Sequence, residues 1–164
     1  LLESRVEATL SPAEQLKLRG QIIDLLEFKL DDPATALEQS VGAFVATADE
    51  RFRTRVTRLA DATSRWREVA DTIAHAADVT EDADRRLALR LFLGEWYFDR
   101  MNDPALAVEQ LEWARAQNPE DLRVESLLEG PYEALGQWVA LAALLERKLE
   151  RVFDDQQQFP LLQK

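Results

Sequence analysis

Several residue types that build common functional sites are absent or scarce in this sequence. It has no cysteine, so it cannot form a disulfide or a thiolate metal site. A catalytic triad or histidine-based metal site would depend on the single histidine, His75, which we interpret as a surface or packing residue. The five glycines are scattered, so no glycine-rich phosphate loop is present. No apolar run reaches the about 18 residues that span a bilayer.

Basic residues are also in the minority, with 20 Lys and Arg against 31 Asp and Glu, a net charge of −11. Such a surface repels a phosphate backbone, so we expect no nucleic-acid partner. The acidic clusters, such as residues 81–84, lie at expected helix boundaries, where carboxylates cap backbone N–H groups. We therefore expect no metal, no cofactor and no catalytic residue. The absence of cysteine favours a reducing compartment, and we expect a cytoplasmic protein.

The abundant residues are Ala, Leu, Glu, Arg and Gln, which favour helix, while runs of strand-forming residues are missing. Four helix starts are marked by a capping residue followed by proline. These pairs begin at Ser11, Asp32, Asp103 and Asn118. The composition and these start signals predict an all-α protein.

An internal repeat organises the chain. Residues 31–43 (DDPATALEQSVGA) return as residues 102–114 (NDPALAVEQLEWA), at an offset of 71. Residues 64–73 resemble residues 136–145, at an offset of 72, and both segments carry apolar residues at helical spacing after a tryptophan. Each period of about 71 residues therefore holds two helix–turn–helix units of about 35 residues, which is typical of a helical repeat array.

The best-preserved unit resembles a tetratricopeptide (TPR) repeat. The residues that carry this resemblance are Leu93, Gly94, Tyr97, Ala107, Leu111, Ala114 and Pro119. The resemblance implies a right-handed α-solenoid of TPR-like hairpins whose first helices line a concave groove. It also implies a protein–protein interaction function.

We divide the chain into one repeat domain, residues 1–153, and a polar tail or start of a further repeat, residues 154–164. The domain begins with the tail of a truncated repeat at residues 1–9. Four hairpins follow, at about residues 11–48, 50–78, 81–117 and 119–153. We expect both ends to be cut from a longer array.

Small residues are expected where the helices approach closely, namely at Gly94 and at Ala36, Ala43, Ala107 and Ala114. Larger apolar residues are expected to fill the space between the helices. These are Val41, Phe44, Ile73, Leu111 and Leu145, together with Trp66 and Trp138.

Two sets of residues are candidate peptide-binding sites. Arg51, Arg55 and Arg58 share one helix face, and by the resemblance they would lie in the groove and bind a carboxylate or an acidic peptide. The alternative is a solvated face whose arginines pair with neighbouring acids, Asp49, Glu50 and Asp61.

The second set is Leu89, Phe92 and Trp96, with Arg100 on the same face. These residues would anchor a partner by aromatic burial. The alternative is ordinary packing between repeats.

The sequence therefore predicts a non-catalytic scaffold that binds a peptide or helix, with a protein partner that is possibly acidic. Two other functions stay open. One is a structural spacer whose ends associate with one another, and the other is a regulatory helical domain of a larger protein.

Overall fold

The computed structural model describes residues 11–158. Over this range the protein is all-α, with eight helices and no strand, which confirms the predicted fold class at that level. The helices are α1 Pro12–Phe28, α2 Pro33–Thr47, α3 Glu50–Thr63, α4 Trp66–Val79, α5 Ala83–Asp99, α6 Pro104–Gln117, α7 Leu122–Ala134 and α8 Trp138–Gln158. The expected helix tail at residues 1–9 and the segment 159–164 lie outside the described residues. Helix α8 continues past residue 153, where the last hairpin was expected to end.

The helices belong to two compact units, one ending at Leu89 and the other beginning at Arg90, so the boundary lies inside α5. In the first unit α2 packs against α1, α3 and α4, and α3 also packs against α4. In the second unit α7 packs against α6 and α8. Most of this packing joins helices that are consecutive in the sequence.

Three of the four predicted helix starts are confirmed. Ser11 forms a complete capping box, because its hydroxyl accepts from Glu14 N while the Glu14 carboxylate accepts from Ser11 N. Asp32 and Asp103 each accept a hydrogen bond at 3.0 Å from the backbone N–H three residues later. In all three helices proline occupies the first turn, where its missing N–H has no partner to lose.

The fourth predicted start, at Asn118, is wrong. Asn118 closes α6, since its N–H donates to Ala114 O at 3.1 Å. The chain then turns, with Asp121 N donating to Asn118 O at 3.2 Å, and α7 begins after Asp121. Asp121 takes the capping role and accepts from Arg123 N at 2.9 Å.

The sequence repeat is also a structural repeat in the turns between helices. The residue before each capping aspartate is left-handed, with φ 53° at Asp31 and φ 51° at Asn102. The two capping residues, Asp32 and Asp103, share φ −116°. At the other offset, Ser64 (φ 56°) and Gly136 (φ 65°) are left-handed two residues before a tryptophan.

The predicted small positions are confirmed in the interior. Ala36, Ala43, Ala107 and Ala114 are fully buried, and four of the five predicted filling residues other than the two tryptophans are buried as well. The exception is Leu145, which is 47% exposed, while its neighbour Leu144 is fully buried.

The prediction that Trp138 packs between the helices is also wrong, because its side chain is 62% exposed. Trp66, its counterpart, is half-buried and donates its indole N–H to Asp61 Oδ1 at 3.0 Å. The reason is the rotation of α8 about its axis. Leu144, Lys148 and Arg151 share one face of α8, and the two basic residues pair with Glu129 and Glu125 of α7. These contacts turn Trp138 and Leu145 outward.

Helix α5 approaches α6 closely at Gly94, as predicted. A Cβ added there would lie 2.5 Å from Leu111 Cγ. The equivalent positions in the first copy are Ile23 on α1 and Ser40 on α2, and both are buried. The large residue of the pair therefore lies on the first helix in the first copy (Ile23) and on the second helix in the second copy (Leu111). The Ser40 hydroxyl is satisfied, because it donates to Ala36 O at 2.7 Å.

The rotation of α8 predicts different costs for two adjacent truncations. Leu144→Ala is expected to lower the free energy of unfolding by about 2–5 kcal/mol, because it empties a fully buried site. Leu145→Ala is expected to cost less than about 1 kcal/mol, because that side chain is half exposed. Urea melts followed by circular dichroism measure both, and equal losses would contradict the observed rotation.

The small and the large residue exchange places between the two copies. This exchange predicts that substitutions at Gly94 and Leu111 have coupled effects on the free energy of unfolding. Gly94→Ile is expected to cost about 1–3 kcal/mol by overpacking, and Leu111→Ser about 2–5 kcal/mol by leaving a cavity. The double variant restores the pair of the first copy, so its loss in a urea melt should be smaller than the sum by at least about 1 kcal/mol.

Gly42→Ala is the control for this series. An added Cβ there meets nothing within 4 Å, so the change should stabilise α2 by about 0.5–1 kcal/mol. Strictly additive losses at Gly94 and Leu111 would show that the two positions do not share one packing site.

Candidate interaction surfaces

The three arginines of the first candidate set lie along α3, and each of them pairs with a carboxylate. Arg51 donates from Nε and Nη2 to the two oxygens of Asp49, at 2.9 and 2.7 Å. Asp49 is also the capping residue of α3, so this pair lies at the start of the helix. The Arg51 side chain is 70% exposed.

Arg55 and Arg58 pair with acids from α1 rather than from their own helix. Arg55 Nη1 lies 2.5 Å from Asp24 Oδ1. Arg58 binds both oxygens of Glu27, with 2.6 Å between Nη2 and Oε2, and its guanidinium lies 5.9 Å from the Phe28 ring centroid. These pairs fasten α1 to α3. Sequence reasoning missed them, although both helices place the charges three residues apart and the separation is 31 residues in each case.

The pairs shift the ionisation of their members. Hydrogen bonds from Arg58 lower the pKa of Glu27, and the same contact raises the pKa of Arg58. Hydrogen bonds from Arg51 likewise lower the pKa of Asp49. Each carboxylate is therefore held ionised more firmly than in the unfolded chain.

Beside this row, the surface of α3 forms an open depression of about 500 Å³. Its lining residues are all of polar or charged types and carry both signs of charge. The lining residues are Glu50, Arg53, Thr54, Thr57, Arg58 and Asp61. Arg58, whose side chain is half exposed, belongs both to the row and to the depression.

The second candidate set lies in the interior. Leu89, Phe92 and Trp96 are at most 3% exposed, as the packing alternative expects. Phe92 and Trp96 stack with their ring centroids 5.0 Å apart, and the Arg100 guanidinium lies 5.8 Å from the Trp96 centroid. A role as peptide anchors stays a prediction, and a partner would reach these rings only by displacing packed neighbours.

A fully buried carboxylate on α7 was not foreseen. Glu125 Oε2 accepts from Arg151 Nη1 at 2.7 Å, and Arg147 Nε lies 3.9 Å from Oε1. Burying a carboxylate without a cationic partner is costly, so Arg151 is required for Glu125 to be there. The pair joins α7 to α8, and we assign it a structural role.

Exposed apolar residues form two further surfaces that sequence reasoning missed. The first, the α1 stripe, consists of Leu18, Ile22, Leu25 and Phe28. The second, the α8 stripe, consists of Trp138, Leu145, Leu149 and Val152. The spacing of four and then three residues in α1 was visible in the sequence as a signal for one helix face. It did not indicate whether that face is covered.

Other kinds of site find little support in the part of the chain that the structure describes. His75 is exposed on α4. Between residues 11 and 158, no group of three or more histidines and carboxylates is arranged to hold a metal ion. Within the same range, no helix is both long enough and apolar enough to cross a membrane.

Comparisons with protein-family models, with curated proteins and with solved structures give no significant match. The surfaces are therefore interpreted from their own residues.

The Glu27–Arg58 pair predicts a pH dependence of stability. The pKa of Glu27 is lowered by folding from 4.5, so the pair stabilises the fold fully above about pH 4.5. This stabilisation is lost as the pH falls through the lowered pKa. Glu27→Gln is expected to cost up to about 1 kcal/mol at pH 7 and to flatten part of the decline in stability below about pH 4.5.

Urea melts at a series of pH values measure both effects. Glu133→Gln, on the exposed surface of α7, is the control and should leave the profile unchanged. If wild type and Glu27→Gln showed the same dependence of unfolding free energy on pH, this result would contradict the assigned pairing.

Proposed function

We propose that this protein is a non-catalytic scaffold that binds an acidic peptide or helix along the α3 surface. In this proposal its hairpins form a right-handed, TPR-like solenoid, and α3 lines the concave side. The observation that carries the proposal is the pair between Arg58 and Glu27. It shows a guanidinium at the edge of an open depression with both carboxylate oxygens bound to it.

The repeated turns support the array. Left-handed residues and aspartate caps recur at the same offset as the sequence repeat, so helix pairs of the same kind follow one another. Repeated helix pairs of this type commonly stack into extended binding surfaces.

Charge supports the choice of partner. Arg51 and Arg58 are more than half exposed, and each already binds a carboxylate of this chain. Arg51 is the more exposed of the two, and exposed ion pairs contribute little to stability, so exchange at Arg51 costs little. Exchange at Arg58 costs more, because its present partner Glu27 is only 10% exposed. The planar guanidinium also binds both oxygens of an incoming carboxylate, which favours Asp or Glu side chains over neutral ones.

Capture of partners from native extract tests the proposal. The triple variant Arg51→Glu, Arg55→Glu, Arg58→Glu reverses the charge of the row, so it is expected to lose its partner at least about tenfold relative to wild type. Partners are identified and quantified by mass spectrometry. Circular dichroism establishes that the variant keeps its helices.

Two controls separate binding from side effects. Asp24→Asn with Glu27→Gln breaks the same pairs with α1 but keeps the arginines, so it should bind as well as wild type or better. Arg19→Glu, Arg67→Glu, Arg123→Glu makes the same change of net charge at exposed positions elsewhere. Loss of the partner in either control, or retention in the row variant, would contradict the proposal.

A further inference from the structure

Helix α8 presents two neighbouring faces of different character. The face that packs on α7 combines one leucine with two cations, which are Leu144, Lys148 and Arg151. The residue after each of them is apolar and about half exposed. These three residues, which belong to the α8 stripe, are Leu145, Leu149 and Val152. Because each residue turns an α-helix by about 100°, a rotation of α8 by that angle about its own axis would exchange the two faces.

The hydrophobic effect favours the face that α8 exposes. Turned toward α7, that face would remove three apolar side chains from water, whereas the present face removes one. The present face also brings Lys148 and Arg151 toward α7, which is unfavourable unless each charge is paired. The present rotation therefore depends on the acidic side chains of α7 that pair with these cations.

The internal repeat contains a helix with the other rotation. At an offset of 72, Leu145 and Leu149 correspond to Ile73 and Ala77 of α4, and both of these are fully buried. Leu144 corresponds to Thr72, which is exposed. Two equivalent helices thus bury faces that lie one residue apart.

The helices that precede α4 and α8 differ in a matching way. Asp49 caps α3 and Asp121 caps α7, and the same offset of 72 relates them, so the residues of these two helices can be compared directly. Glu125 of α7 then corresponds to Arg53 of α3. The copy in which α4 buries the other face therefore lacks this carboxylate.

Glu125 depends on α8 for its cationic neighbours. It is fully buried, and its Oε2 accepts from Arg151 Nη1 at 2.7 Å. Its Oε1 accepts no hydrogen bond from residues 11–158, and the Nε of Arg147, also on α8, lies 3.9 Å away. The rotation that brings the stripe to α7 would carry both arginines away and leave the carboxylate buried without a cation, which is costly. Glu129, which pairs with Lys148, is 36% exposed, so water would still reach it.

We propose that the buried carboxylate of Glu125 selects between two rotations of α8. With the carboxylate present, α8 turns its charged face to α7 and leaves its apolar stripe in water. Without it, α8 turns by about 100° and buries Leu145, Leu149 and Val152 against α7. Glu125 is thus a positioning residue for α8, and this inference goes beyond the α3 surface and does not depend on it.

Single cysteines report on the rotation, because the chain has no cysteine of its own. Leu144→Cys and Leu145→Cys are each made in the wild-type chain and in a Glu125→Leu chain, and their rates of reaction with an aromatic disulfide that releases a coloured thiolate are compared. In the wild-type chain the Leu145→Cys thiol should react at least about tenfold faster, since a buried thiol reacts only through local opening. In the Glu125→Leu chain the order should reverse.

Two variants of α7 are matched controls for the loss of a carboxylate. Glu129→Leu removes the paired carboxylate that is partly exposed, and Glu133→Leu removes an exposed one. Both should keep the wild-type order of reaction rates, and circular dichroism establishes that all variants keep their helices. A reversed order in either control would overturn the selection by Glu125.

Two results in the Glu125→Leu chain would overturn the proposal. If the Leu145→Cys thiol still reacted faster, the carboxylate would not set the rotation. If both thiols reacted equally fast, α8 would have detached from α7 instead of turning.

Truncation provides a second measurement that needs no cysteine. In urea melts of the wild-type chain, Leu144→Ala should cost more stability than Leu145→Ala, and in the Glu125→Leu chain Leu145→Ala should cost more. An unchanged order would overturn the proposal even where a cysteine variant fails to fold. The Glu125→Leu chain keeps the arginine row, so it should retain any acidic partner, and failure of this proposal can be distinguished from failure of the proposed function.

Discussion

The close approach of α5 and α6 is the constraint on which the interpretation of the repeat depends. Two helices approach this closely only where one of them presents a small residue. In the second copy the small residue is Gly94 on α5, which faces Leu111 on α6. In the first copy the small residue is Ser40 on α2, at the position equivalent to Leu111, and the large residue is Ile23 on α1. The combined volume of the two side chains is similar in the two copies, although the large and the small residue lie on opposite helices. A repeat can therefore keep its geometry while its most buried residues differ.

Features set by neighbouring residues could be predicted from the sequence. A capping side chain and the N–H that it binds are three residues apart, so Asp32 and Asp103 could be assigned as helix starts without knowledge of the fold. Asn118 was misassigned because two helix ends compete for the same few residues. The buried alanines were predictable because they recur seven residues apart on one face of each helix.

Features set by distant residues could not be predicted in this way. The rotation of α8 depends on Glu125 and Glu129 of α7, and only that rotation decides that Leu144 is buried and Leu145 is not. Similarly, the spacing of the arginines on α3 was visible, whereas the carboxylates that bind Arg55 and Arg58 lie 31 residues earlier. Periodicity shows which residues share a face, but it does not show what covers that face.

Helix α1 links the arginine row to the rest of the first unit. Asp24 and Glu27 fasten α1 to α3 through Arg55 and Arg58. In the proposed function, an acidic partner that takes Arg58 competes with Glu27 and so loosens the attachment of α1. Because the Glu27 side chain is only 10% exposed, its release from Arg58 costs more than the loss of an exposed ion pair. The partner's carboxylate therefore has to bind Arg58 more tightly than a carboxylate of this chain that is already held in place.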